Sequence, residues 1–133
     1  MDYKTFTTNL ANLKRYRQSE ETLKDELDQI LYALSGVRGV SYDQVMVHGN
    51  PSQKALNWLK LEDKYNAKEE ELKFIQSAIR QVESVLSRMP ENIRMMLIEV
   101  FCDGHTYRYV GEKYGYSDHG VWQMLKRETE KYL

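Results

Sequence analysis

Cysteine is nearly absent: Cys102 is the only one in 133 residues. No internal disulfide can form, and a reducing cytoplasm is the simplest setting. No apolar run reaches the roughly 18 residues that a membrane span needs, so no membrane contact is expected. The opening MDYKTFTTNL carries no apolar signal core. Two prolines and seven glycines leave little material for linkers. An excess of one charge is missing too, because 19 basic residues stand against 20 acidic ones, for a net charge of -1. A nucleic-acid domain is ordinarily basic, so this balance counts against binding driven by charge alone.

Catalytic patterns are also lacking. There is no glycine-rich phosphate loop and no nucleophile motif. The acidic runs Glu20-Glu21 and Glu69-Glu70-Glu71 fall on helical stretches, where charge runs are usually solvated. Cys102, Asp103 and His105 put a thiol, a carboxylate and an imidazole close together. A metal site needs three or four convergent ligands, and the other histidines, His48 and His119, lie in no ligand spacing. No enzyme, cofactor or metal is expected.

What is present is helical periodicity. Apolar residues make up 41% of the chain, enough for a core, and charged residues 29%, which suits solvated helices. Residues 1 to about 18 are polar and aromatic, with Leu10 and Leu13 as anchors. A helix is expected from Ser19, whose SEET start resembles a capping sequence with acids at the positive helix end. Leu23, Leu27, Ile30 and Leu34 follow at heptad spacing. Residues 35–50, with three glycines, read as a loop, and Val45 and Val47 alternate as in a short extended piece. Asn50, Pro51 and Gln53 then signal a helix start. Trp58, Leu61, Tyr65, Leu72, Ile75, Ile79, Val82 and Leu86 continue a heptad stripe in which Lys68 occupies one seam position. A helix of about 36 residues would span about 54 Å. Its expected partner is the Leu23–Leu34 helix, folded back antiparallel; a second copy of the chain, forming a homodimer through the long helix, is the alternative.

The last third is the most informative. Pro90 suits a first helical position. Ile93, Leu97, Ile98 and Phe101 then share one helical face, and Asp103-Gly104 ends the helix. Thr106 can cap a short second helix with Tyr107, Val110 and Tyr114 as its apolar stripe. Gly111 inside it costs about 1 kcal/mol against alanine, which points to a packing reason, such as close approach of another helix. Gly115 closes this helix and Ser117 caps the third. Val121, Met124, Leu125 and Tyr132 are the expected buried face of the third helix, with Asp118, His119, Trp122, Gln123, Lys126 and Glu130 pointing outward. Two helices joined by a glycine-containing turn describe a helix-turn-helix, whose second helix lies in the major groove.

The stretch TYRYVGEKYGYS (106–117), followed by VWQM (121–124) and Lys126-Arg127, resembles the C-terminal helix-turn-helix of bacterial sigma factors. Thr106, Val110, Gly111, Gly115, Ser117, Val121, Gln123 and Lys126 match that pattern residue for residue. Asp118 and Gly120 stand where the family usually has arginine or another long polar residue, and Trp122 where it is usually basic. Over its whole length the chain resembles phage-encoded sigma-like transcriptional regulators of the RinA/ArpU type. The features shared with them are Tyr16-Arg17 and the acids that follow, the GVSYD loop (39–43), the long charged helix and the Met89-Pro90 entry to the module. The resemblance implies control of phage transcription, by direct binding to double-stranded DNA or together with host RNA polymerase.

The fold expected is all-α: an antiparallel helical hairpin with a C-terminal helix-turn-helix three-helix module. The expected division is 1–88, the hairpin with its loop at 35–50, and 89–133. Candidate DNA contacts are Arg108, Ser117, Asp118, His119, Trp122, Gln123, Lys126 and Arg127. Gln123 can pair bidentately with adenine. Lys126, Arg127 and Arg108 suit phosphate. Trp122 touches thymine methyls or a partner protein, or packs on a neighbouring helix. From Gly104 onward five cations, Arg108, Lys113, Lys126, Arg127 and Lys131, face four acids, Glu112, Asp118, Glu128 and Glu130. Affinity from counterion release should be modest. Lys4, Lys14, Arg15 and Arg17 could add a phosphate contact, or simply form a solvated helix end. Two other functions fit the pattern: an interaction module that engages RNA polymerase without reading DNA, and a small DNA-packaging subunit.

Overall fold

The structure is a computed structural model that describes residues 1–37 and 53–133, with side chains over 1–35 and 55–133. The expected loop at 35–50 and the Asn50-Pro51 start signal therefore lie almost wholly outside the described residues. Among those residues the fold is all-α, with no strand. Six α-helices follow in order: α1 (Tyr3–Ala11), α2 (Leu13–Val37), α3 (Gln53–Arg88), α4 (Glu91–Leu97), α5 (Tyr107–Tyr114) and α6 (Asp118–Glu130). A π-helical turn, Ile98–Cys102, continues α4.

Contacts gather the chain into two compact units, 18–76 and the pair of segments 1–17 and 77–133. In the first, Leu23, Leu27, Ile30 and Leu34 are all buried along α2. On α3 the expected seam residues Trp58, Leu61, Tyr65 and Leu72 are half-buried, and Ile75 is buried. Lys68, the polar seam residue, is half-buried and forms an ion pair with Glu26 of α2. This contact between α2 and α3 is consistent with a helical hairpin.

In the second unit the buried residues include Phe6, Leu10, Leu13, Ile79, Val82, Leu86, Met96, Leu97, Val110, Val121 and Leu125. Helix α1 was not expected. Asp2 caps it by accepting the Thr5 N–H at 2.8 Å, and Phe6 and Leu10 are completely buried. It packs against the π-helical turn and against α6. Helix α2 begins at Leu13 rather than at Ser19, so Ser19 lies inside a helix and caps nothing. The reason is local: residues 13–18 are mostly good helix formers, and Leu13 has a core to enter. Arg17 then pairs with Glu83 of α3 at 2.8 Å, on the surface.

Pro90 stands one residue before α4, with a φ of -57°, and Glu91 is the first helical residue. The helix widens at its end, where the Asp103 N–H donates to the Ile98 carbonyl at 2.9 Å. Gly104, at φ +75°, carries the chain out in the left-handed conformation expected of a glycine stop. Cys102 is exposed; its sulfur lies 3.5 Å from the Leu10 carbonyl oxygen. Burial at this end goes instead to Met96, Leu97 and Glu99.

Candidate nucleic-acid interface

Helices α5 and α6 are joined by three residues, and each joint is made by a side chain or glycine at a fixed place. Thr106 accepts the Tyr109 N–H at 3.1 Å and so starts α5. At the other end Gly115 takes φ +84°, and both the Gly115 and the Tyr116 N–H donate to the Gly111 carbonyl at 2.8 Å. Ser117 starts α6 by accepting the Gly120 N–H at 3.0 Å. These caps satisfy N–H groups that would otherwise be orphaned at a helix start.

Gly111 was expected to have a packing reason, such as another helix close by. What it admits is the turn itself: a Cβ at this position would lie 2.4 Å from the Tyr116 carbonyl oxygen. At Gly120 an added Cβ would meet only a side-chain atom, the Ser117 hydroxyl at 2.9 Å. The absence of a long side chain at 120 thus fits a tight cap.

Helix α5 is held from behind by a carboxylate. Glu99 is buried on the π-helical turn, and its Oε1 accepts from Lys113 Nζ at 2.6 Å and from the Tyr114 hydroxyl at 3.2 Å. Its Oε2 is buried and accepts no protein hydrogen bond. The Lys113 hydrogen bond, reinforced by the lysine charge and by Tyr114, holds the Glu99 carboxyl below its ordinary range despite burial. The same hydrogen bond raises the Lys113 ammonium. Glutamate is not a residue that sequence reasoning places inside, and its partners lie 14 and 15 positions further along.

The outward face of α6 carries most of the candidate contacts. Val121, Leu125 and Thr129 are buried, Met124 and Tyr132 half-buried, and Asp118, His119, Trp122, Gln123, Lys126, Arg127 and Glu130 exposed. The His119 and Trp122 rings stack with centroids 5.8 Å apart and planes 23° apart. Lys126 Nζ lies 5.7 Å from the Trp122 ring centroid, within cation–π range. Arg108, Asp118, His119 and Trp122 meet Thr106 and Tyr107 around one shallow open cleft of about 430 Å³. Gln123, Lys126 and Arg127 lie outside that cleft, further along or around α6.

The charges here are mostly in use. Arg108 Nε is 3.3 Å from Glu112, and Arg127 Nε is 3.5 Å from Glu128. The Lys131 hydrogen bond is the main cause holding the Glu128 carboxyl below its usual range. Asp118 accepts the N–H of His119 at 2.9 Å. Lys126 makes no ion pair among the described residues. Exposed pairs of this kind are worth only about 0–1 kcal/mol, so a phosphate can displace the acids. The Ser117 oxygen accepts the cap hydrogen bond, and its O–H is left to donate.

One exposed pair escaped sequence reasoning. Tyr109, exposed on α5, stacks on His105 at 4.2 Å between centroids. His105 lies outside α5, before the Thr106 cap, so helical spacing gives no signal for this contact. Of the N-terminal cations, Arg17 is tied to Glu83. Among the described residues no group of three or more metal-ligating side chains forms, and no helix is long and apolar enough to cross a membrane. No family model, no curated protein and no solved structure matches the chain.

Proposed function

We propose that this chain is a phage transcriptional regulator, working in the cytoplasm of a bacterial host, that binds duplex DNA through a helix-turn-helix formed by α5 and α6. In this reading α6 enters the major groove, and α2 and α3 form an antiparallel hairpin. The observation that carries the reading is the joint between α5 and α6. Gly111 lets the turn backbone press on α5, Gly115 reverses the chain at positive φ, and Ser117 starts α6. That arrangement leaves one face of α6 free along its length, with Gln123 and Lys126 on it. Gln123 can offer the paired donor and acceptor that adenine presents in the major groove. Lys126, Arg108 and Arg127 supply phosphate contacts that set register without reading sequence. The near balance of charge makes the non-specific part of the affinity small. A second copy, docked through the long helix, would double the number of such contacts.

The test compares two single variants on duplexes selected from a random library. Gln123→Ala is expected to change which duplexes are preferred. Lys126→Ala is expected to weaken all of them alike and to lower the salt slope by about 1. If both variants bind as the parent does, α6 is not the reader. A second reading rests on the exposed Trp122 and the net charge of -1: the same unit engages RNA polymerase without touching bases. Co-purification with polymerase in the absence of DNA, together with no preference among duplexes, would favour it.

A further inference from the structure

Trp122 is the one large aromatic on the free face of α6, 40% exposed in the middle of the helix. Its ring is not loose. His119, one turn earlier, stacks on it, and Lys126, one turn later, sits over it. These three side chains recur at i, i+3 and i+7 and form one ridge. An indole held in this way has already lost much of its rotamer freedom, so placing it against a ligand costs less ordering entropy than for a free side chain. The ridge is apolar at its centre, ends in Lys126, which makes no ion pair among the described residues, and borders a cleft also lined by Asp118 and by Arg108, itself paired with Glu112. Lys126, and Arg108 once a phosphate displaces Glu112, suit a polyanion, and an apolar centre beside them suits the one apolar group in the major groove. That group is the C5-methyl of thymine. Gln123 follows directly in the chain and has the chemistry for adenine, so the two residues fit neighbouring A·T pairs.

We infer that Trp122, braced by His119 and Lys126, packs on a thymine C5-methyl in the major groove and selects for that base. The inference rests on the DNA-binding reading above. It makes Trp122 a specificity-determining residue and His119 a positioning residue that acts through it.

The probe is the duplex that the protein itself enriches from a random 20-base-pair library. Each thymine in it is replaced in turn by uracil, which removes only the methyl group. At one or two positions the parent is expected to lose about fourfold in affinity, the worth of one buried methyl. Trp122→Ala should bind the thymine duplex more weakly by a comparable factor and be indifferent to uracil at those same positions. His119→Ala should shrink the methyl effect without abolishing selective binding. Trp122 is exposed, so an unchanged circular dichroism spectrum is expected and confirms that the variant is folded. If uracil costs the parent no more than it costs Trp122→Ala at every position, the inference is overturned, while the DNA-binding reading survives wherever Gln123→Ala still alters preference. Failure to enrich any duplex overturns both. Loss of polymerase co-purification on Trp122→Ala, with the thymine preference intact, assigns the ridge to a protein partner and overturns the inference alone.

Discussion

Glycine 111 and glycine 115 stand four residues apart and do different jobs. At 115 there is room for a side chain, but φ +84° is a conformation that L-residues avoid. At 111 the conformation is ordinary, and the obstacle is the Tyr116 carbonyl oxygen 2.4 Å from any added Cβ. Backbone in a tight turn yields less readily than a side chain. Gly111→Ala is therefore expected to cost about 1–3 kcal/mol, the range for overpacking a well-packed site. Gly115→Ala should cost about 1–2 kcal/mol from the left-handed conformation alone. Urea unfolding of both variants checks the two figures, and equal, negligible effects would mean that the turn is looser than its geometry implies. Glu99 is the other residue with a distinct signature. Its carboxyl is held low in the folded chain by Lys113, so its contribution is fully present above the ordinary carboxylate range and is lost as pH falls through the depressed value. Below about pH 4.3 the parent should lose stability more steeply than Glu99→Gln. Unfolding midpoints measured from pH 7 to pH 3 test this; parallel curves would show that the Glu99–Lys113 contact contributes nothing.

Among the elements, the heptad stripes were the most legible part. Leu23, Leu27, Ile30 and Leu34 could be read as one buried face from their spacing, and all four are buried. The caps at Thr106 and Ser117 and the stop at Gly115 were equally plain, because each needs a particular side chain or a glycine at one place. Helix α1 was not legible. Its apolar residues are few, and Phe6 and Leu10 become a core only against a π-helical turn about 90 positions away. No local pattern announces such a contact. The seam also gave no hint that Lys68 has a partner, since Glu26 lies 42 residues earlier. Both ends of that pair remain partly in water. The double variant Lys68→Leu with Glu26→Leu, which replaces the pair by apolar residues and extends the seam, is therefore expected to be as stable as the parent or slightly more so. Removing Glu26 alone leaves the lysine half-buried without its counter-charge and should lower stability. Thermal unfolding of the two variants separates these outcomes, and sedimentation shows whether Lys68 also sets the number of chains that associate. Ser117→Ala should cost about 0.5–2 kcal/mol through the lost cap of α6.

At the scale of the whole molecule, the candidate interface was legible in kind and less so in arrangement. Sequence spacing placed His119, Trp122, Gln123 and Lys126 outward, and they are outward. It could not show that His119 and Lys126 both attend to Trp122, nor that Arg108 and Arg127 are already tied to acids. Those pairings turn a weakly charged helix face into an ordered one, with an aromatic at its centre and an amide beside it. In the proposed reading such a face chooses among duplexes rather than holding all of them. The proposed function requires that α6 read duplex DNA by sequence. The most direct measurement is an anisotropy titration of the unmodified chain, at two salt concentrations, with a library-selected duplex and a scrambled duplex of the same composition. Tighter binding to the selected duplex at both salt concentrations, with only a modest salt slope, is the predicted result. Equal binding to both duplexes that disappears at the higher salt, or no binding at all, would contradict it.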